Sequence, residues 1–555
     1  MSAKLFYLLG EPVSTAKEIE VASSLSEDDL KHLVASHFAI VVPDGISFLS
    51  EQRNTQLPSL SEILETDEPI AISIDGKRVR DPPGPKGLPY VGNFFEIYPD
   101  HLGNHQRLFD TYGAVIKTVS MGRTIYLTND PAIAAMAFTE GDFFSKRIIE
   151  GHPLFPIKNE QAGVFLGDTD TEEWRIVHKF LPPAFGPKAV RHYAPTMQLT
   201  VEDAFKVFDE LDGRGEAWNV YPYMLKLGSQ AVGKLVLGID FQQFTSVDAK
   251  PHELVILIAE VLSLNKKVTS WGSWYGSLPF GDPKALRDKR DRIMELIEES
   301  VKAAKQGGIE DLDLQEAAIK ATNMVDYCLR ATDSKGNKLP KKNLVDPLLV
   351  ATGAGFTTTS SLLSWLIYSL VTYPGMQDRL LQELVDNGFG DDTQITAEFT
   401  NKLTFLDHFI KETQRRHNPS YQPGRTAQQD LILPGGYKIP QDGILIPAIH
   451  HIHNNPALWD NPARFDPDRW DTEAVKNRHR AAYIPFAMGP RGCIGFNFAL
   501  QEVKVFLPKL VYRYRFEREG VEDTVEYDPM FQLIRPNNLY VRAERRVKWP
   551  PRTGL

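Results

Sequence analysis

One cysteine between two glycines constrains this chain more than any other feature. In Phe486-Ala-Met-Gly489-Pro-Arg491-Gly-Cys493-Ile-Gly495 an arginine and a phenylalanine precede it, and an apolar-periodic segment follows from Phe496 to about Leu510. A helix in that segment sets its positive N-terminal end near the sulfur and favours the thiolate. Glycines let backbone lie close against a flat macrocycle. Arg491 suits an anionic propionate on such a ring, and Phe486 shields the sulfur from water. The pattern is that of a thiolate serving as axial iron ligand. The same ten residues also suit a buried free cysteine beside a glycine-rich turn.

At 555 residues the chain exceeds one ordinary domain, so a large domain with a smaller one is expected. A net charge of −10 with no Lys/Arg cluster argues against nucleic-acid binding. Two cysteines, Cys328 and Cys493, point to a reducing compartment. The expected location is cytoplasmic, with or without peripheral attachment to an internal membrane. Leu5–Leu9 is too short for a signal segment, and no transmembrane anchor begins the chain. Pro347–Gln377 lacks any charge, but its centre, Thr352-Gly-Ala-Gly-Phe-Thr-Thr-Thr-Ser-Ser361, is too polar for a lone spanning helix. A buried helix of a large core is expected there.

Residues 1–80 carry seven Lys/Arg against thirteen Asp/Glu. Strands are expected at Lys4–Leu9, Ile19–Ala22, Ile46–Leu49 and Ile70–Ile74. Ser26-Glu-Asp-Asp opens a helix reaching about His37, and Asp75-Gly76 marks a turn. The expectation is a small acidic α+β module of β-grasp character, against the alternative of a poorly packed extension. Asp81-Pro-Pro-Gly-Pro-Lys-Gly-Leu-Pro89 reads as a stiff connector. Residues 91–550 then form the main domain, mainly α with small β-sheets: a strand pair near 114–128 and helical spacing over Trp174–Phe180, Thr196–Leu211 and Asp282–Ala304.

Four further motifs carry chemistry. Ala354-Gly355-Phe356-Thr357-Thr358-Thr359 places hydroxyls mid-helix, where they bond back to carbonyls and open the helix locally. Gly355 admits a flat group. Lys411-Glu412-Thr-Gln-Arg415 sets an acid and a base on one helix face. Pro462-Ala-Arg464-Phe465-Asp-Pro467-Asp-Arg469-Trp470 follows. Trp174 and His178 lie one helical turn apart. His450, His451 and His453 are spaced wrongly for a zinc site without nearby Cys or acid ligands.

Taken in order, Trp174, Thr358, Glu412 with Arg415, Arg464 and Cys493 resemble the cytochrome P-450 family over about residues 82–545. The resemblance implies that fold and a heme b ligated by Cys493, with Trp174, His178, Arg425, Phe486, Arg491 and Gly495 at the cofactor. The family usually has arginine where His178 stands. Glu412, Arg415 and Arg464 would form a buried ion network. Thr358 matches the threonine that assists proton delivery. Thr357 stands where most members carry an acid. Phe165 and the stretch to Leu181-Pro-Pro-Ala-Phe185 look like the heme domains of self-sufficient fatty-acid hydroxylases. Phe165, Ala354, Phe356 and Arg123 would then line the substrate pocket, with Tyr126 beside Arg123 as a carboxylate-binding pair.

The implied function is monooxygenation, by hydroxylation or epoxidation, of an apolar fatty acid or secondary metabolite. It uses O2 and a separate NADPH-dependent reductase, since no fused reductase follows the domain. Thr357 keeps one rival in view, a reductase-independent hydroperoxide isomerase or peroxygenase, and a non-catalytic heme sensor is the second alternative.

Overall fold

Alternation begins the chain as a strand: in β1 (Ser2–Leu8) Phe6 is fully buried while Leu5 is exposed, the period-two pattern of a half-buried strand. The computed structural model describes residues 2–52, 54–158, 162–304, 310–420, 423–520 and 524–553. β2 (Lys17–Val21) returns antiparallel to β1. Helix α1 (Glu27–Phe38) starts at Ser26, whose hydroxyl accepts from Asp29 N while the Asp29 carboxylate accepts from Ser26 N. This reciprocal cap satisfies two orphan donors. Ser26→Ala is therefore expected to cost about 1 kcal/mol, read as a lower local protection of α1 amides in hydrogen exchange.

β3 (Ile46–Ser50), β4 (Thr55–Gln56), α2 (Leu60–Glu65) and β5 (Ile70–Ile74) complete the sheet. Its order is β2-β1-β5-β3-β4, with β1 parallel to β5. That is a β-grasp, with Leu30, Val34 and Phe38 of α1 packed on Phe6, Ile19, Ile70 and Ile72. The strands and α1 lie within two residues of the positions expected from sequence. At the turn, Ile74 and Lys77 exchange backbone hydrogen bonds around Asp75 and Gly76, both at positive φ, as a tight hairpin requires.

Two compact units make up the chain. The first takes in Met1–His152, Gln422–Ala448 and Met488–Pro490. The proline-rich segment is thus a change of sheet inside one unit. Pro83 O accepts from Lys117 N at 2.8 Å, and a Cβ at Gly84 would stand 1.9 Å from Lys117 O, so only glycine lets the connector lie on the next sheet. That sheet combines β6 (Val115–Ser120), β7 (Arg123–Thr128), β8 (Phe144–Ser145), β9 (Arg425–Ala427) and β10 (Ile444–Pro447) in the order β6-β7-β10-β9-β8.

The second unit comprises Pro153–Tyr421, Ile449–Ala487 and Arg491–Leu555. Its helices include α3 (Glu172–Phe180), α4 (Pro187–Arg214), α5 (Val220–Val232), α6 (Val345–Thr372), α7 (Thr404–Arg416) and α8 (Phe496–Arg513). One large apolar core joins α4, α5, α6 and α8.

α6 is the uncharged segment. Its hydroxyls bond back one turn: Thr357 to Gly353 O at 2.6 Å, Thr358 to Ala354 O at 2.7 Å, Thr359 to Gly355 O at 2.9 Å and Ser360 to Phe356 O at 2.6 Å. This self-satisfaction lets a hydroxyl-rich helix lie in a protein core. No described helix is long and apolar enough to cross a membrane. α6 is assigned as one continuous helix through the threonines, without the local opening expected from sequence. A Cβ at Gly355 would meet Val232 of α5 at 3.3 Å, so this glycine serves helix packing and not the approach of a flat group.

Candidate active site

The cysteine loop is closed by Cys493 N donating to Phe486 O at 2.9 Å. Gly489, at positive φ, is where the chain passes the Phe138 carbonyl; a Cβ there would lie 2.0 Å from that oxygen. Cys493 then leads through Gly495 into α8, whose first turn carries no side-chain cap. Phe486 and Phe496 flank this turn, with ring centroids 6.2 Å apart. The Cys493 thiol is solvent-accessible yet crowded by protein, as in the wall of an internal cleft. Burial raises its pKa, and the Gly495 N–H opposes that by favouring the thiolate. Cys328 differs: it is fully enclosed, its thiol pushed up to about 12 by burial, and inert.

These residues fit a single-sulfur ligand whose iron brings its remaining ligands in a macrocycle. The sulfur is reachable, an N–H is directed at it, and a Cβ on Gly495 would meet no atom within 4 Å. Among the described residues no group of three His, Cys, Asp or Glu could hold a bare metal ion.

Beside the loop, α3 presents Trp174 and His178 one turn apart, their rings stacked at 4.5 Å. The Arg491 guanidinium lies 5.0 Å over the Trp174 ring. It donates to Thr169 Oγ1 at 2.8 Å, Val164 O at 2.8 Å and Gly167 O at 2.7 Å. The same loop is tied to α6 by Asp346, which accepts from Gly163 N at 2.8 Å. Arg491, Trp174 and His178 are thus brought together, and Phe165 in that loop is half exposed.

α6 sorts its own candidates by helical phase. Ala354 is exposed and Thr358 half-buried, four residues apart on one face. Phe356 is 0% exposed and part of the apolar core, so it does not line a pocket; two residues along a helix turn a side chain to the opposite side. Thr357 is likewise buried.

The ion network differs in one member. Arg415 grips Glu412 with two bonds, Nε to Oε2 at 2.9 Å and Nη2 to Oε1 at 2.8 Å, both side chains fully buried. The third charged member is Arg469, whose Nε reaches Glu412 Oε1 at 3.1 Å, and Trp470 Nε1 adds 3.2 Å to Oε2. Arg464 instead points outward, 66% exposed, paired with Asp466 at 3.2 Å. It enters the network through its carbonyl, which accepts from Arg415 and Arg469. Both arginines stand in the segment quoted above; only the 3-10 turn Pro467–Asp471 decides that the later one faces inward. His453 also belongs here: its carbonyl accepts from Arg415 at 3.0 Å and its Nε2 from Ile484 N at 2.9 Å. Burial, then Arg415, pushes its imidazole down to about 3, so it stays neutral.

Arg425 and Arg123 lie in the first unit. Arg425 is buried, 2.8 Å from Glu140 and 4.9 Å over the Phe138 ring, and burial lowers its pKa to about 10. Arg123 and Tyr126 stand three apart on β7, hence on opposite faces of the strand, and Tyr126 is 4% exposed in an apolar cluster. They do not form a pair.

Comparison with known proteins agrees with this arrangement. The cytochrome P450 family model matches residues 82–541. The chain is 50% identical to cytochrome P450 monooxygenase alnD of Emericella nidulans, over the whole of both chains. It is 27% identical to leukotriene-B4 omega-hydroxylase 3 of Mus musculus, over 83% of this chain and 89% of that one. It is also 27% identical to the bifunctional cytochrome P450/NADPH–P450 reductase ascE of Acremonium egyptiacum, over 84% of this chain and 43% of that one. The solved heme domain of cytochrome P450DA shares the fold at a TM-score of 0.73 and 24% identity, covering 85% of this chain and 99% of that chain. An accessible thiol at the head of a helix is thereby placed in its lineage: the chain belongs to the cytochrome P450 family, an oxidoreductase of the monooxygenase type carrying heme b on a cysteine thiolate.

Proposed function

We propose that this monooxygenase hydroxylates or epoxidises an apolar organic substrate, a fatty acid or a secondary metabolite, using electrons from a separate NADPH-dependent reductase. The observation that carries the reading is the accessible face of α6, where Ala354 and Thr358 stand together while their neighbours are packed into the core. Small Ala354 leaves room for an apolar chain, and Thr358 offers a hydroxyl that orders water. Heme b, held by Cys493, supplies the oxygen-activating chemistry, the thiolate favouring O–O cleavage. Phe486, packed beside Phe496 at the head of α8, would shield the sulfur from water once heme covers it. Trp174, His178 and Arg491 form the polar and aromatic cluster that suits the cofactor's anionic edge. A relative named for omega-hydroxylating leukotriene B4 supports a substrate with an apolar chain, and one that carries its own NADPH–P450 reductase supports that electron source. The protein works in the cytoplasm, free or peripheral to an internal membrane.

The full chain, loaded with heme and mixed with an NADPH–P450 reductase, is expected to show a substrate-induced shift of the ferric spectrum with medium-to-long fatty acids. It should then give NADPH-dependent oxygenated product. The buried Thr357, which carries no acid, favours a second reading, hydroperoxide isomerisation. Turnover of a hydroperoxide without NADPH, and no product with it, would replace the first reading by the second.

A further inference from the structure

One asparagine interrupts an apolar stripe in the second unit. The helix Glu253–Ser270 buries Leu254, Ile258, Val261, Asn265 and Val268, the three- and four-residue spacing of a single helix face. The other members are aliphatic. Asn265 is 0% exposed, and a polar side chain in that position costs stability unless its groups are satisfied.

Only its nitrogen is satisfied. Asn265 Nδ2 donates to Pro153 O at 3.2 Å and to Gln532 Oε1 at 3.0 Å. A peptide carbonyl can only accept, so the contact with Pro153 decides which end of the amide is nitrogen. The oxygen, Oδ1, has no hydrogen-bond partner among the described residues. An amide oxygen sealed from water without a donor costs about 1–3 kcal/mol. Tying the helix to the Pro153 and Gln532 segments needs the nitrogen alone, so that role does not explain the oxygen.

The placement of Asn265 points to a ligand. A Cβ on Gly353 would meet Ile258 Cγ2 at 3.7 Å, so the stripe faces α6 one residue from Ala354. Asn265 lies seven residues further on, two turns and roughly 10 Å along the same face. The segment that carries Gln532 also rests on α6. There Trp365 Nε1 donates to Ile534 O at 3.2 Å, and Trp365 stands seven residues beyond Thr358. Pro153, the helix, α6 and the Gln532 segment all belong to the second unit.

We propose that Asn265 Oδ1 is the specificity-determining contact for the polar end of the substrate, and that this end is a hydrogen-bond donor, a neutral hydroxyl or N–H. The proposal rests on the monooxygenase reading and narrows its substrate class to an apolar molecule bearing such a donor away from the carbon that is oxygenated. A carboxylate offers acceptors only, and both N–H bonds of Asn265 are already spent on Pro153 and Gln532. Its charge would also be buried against an amide oxygen. A fatty-acid anion is therefore the poorer ligand, and the alcohol of the same chain the better one.

The test uses the heme-loaded full chain and three probes of one chain length: dodecanol, its methyl ether and dodecanoate. The shift of the ferric spectrum gives Kd for each. Wild type should bind the alcohol about tenfold more tightly than the ether, the worth of a donor supplied to an unsatisfied acceptor, and should bind dodecanoate less well than the alcohol. Asn265→Leu, apolar and close in volume, should bring alcohol and ether within about twofold of each other, with the ether bound as in wild type. With NADPH and reductase, the loss should fall on KM for the alcohol and leave kcat within about twofold.

The alcohol–ether comparison is made in wild type, so it stands even if Asn265→Leu does not fold. Equal binding of alcohol and ether by wild type overturns the proposal, as does an alcohol preference that survives Asn265→Leu. A variant that weakens all three probes alike also overturns it, since that is the mark of a purely structural asparagine. A wild type that answers no probe and forms no NADPH-dependent product would instead overturn the monooxygenase reading.

Discussion

Glu412→Ala is expected to cost about 3–5 kcal/mol and to shorten the half-life of heme retention on heating, while Arg464→Ala changes stability by no more than about 1 kcal/mol. Glu412 accepts the Arg415 fork, Arg469 Nε, Trp470 Nε1 and the backbone N–H of Asp466 at 3.0 Å. Removing it leaves the Arg415 guanidinium buried without a counter-charge, which is the expensive way to break a buried pair. Arg469→Ala is intermediate, about 1.5–3 kcal/mol, the value of a hydrogen bond to a charged group, because Arg415 still neutralises Glu412. Arg464 forms an exposed pair with Asp466, and its useful atom, the carbonyl oxygen, survives substitution. The three variants should rank Glu412, Arg469, Arg464 in loss of thermal half-life. The measure is a rate, since a two-unit chain with a bound cofactor need not unfold reversibly. Equal losses in Arg464→Ala and Arg469→Ala would contradict this assignment of the network.

The contrast between Arg464 and Arg469 shows where the amino-acid order stops being informative. Glu412 and Arg415 were legible because a spacing of three fixes two side chains on one face of a helix. The third cation lay in a segment between helices, where no period relates side-chain direction to residue number. There two arginines five positions apart are indistinguishable until the turn is known. The β-grasp module was legible for the opposite reason. Alternating strands, the Ser26 cap and the Asp75-Gly76 turn each carry a local signal, and all point to the same elements. Arg123 and Tyr126 are separated by the strand period itself, since three residues along a strand change face. The burial of Glu502, in the helix that follows the cysteine loop, carries no sequence signal. A glutamate in an amphipathic helix reads as a solvated residue, and only the burial of its side of α8 makes it otherwise.

Thr357→Asp is expected to destabilise the protein by about 2–5 kcal/mol without raising product per NADPH. Thr357 is 1% exposed, its hydroxyl bonded to Gly353 O and its carbonyl accepting from Ser361 at 3.0 Å. An aspartate in its place loses the bond to Gly353 as an acceptor-only anion, and burial raises its pKa until it is protonated or forces the helix to shift. Neither outcome sets an acid on the face that carries Ala354 and Thr358, because one residue along a helix rotates the side chain by about 100° away from that face. The expected result is a lower unfolding midpoint, a carboxyl protonated at neutral pH, and unchanged partition between product and hydrogen peroxide. A gain in coupling at little cost in stability would mean that position 357 turns toward the oxygen site once heme is bound.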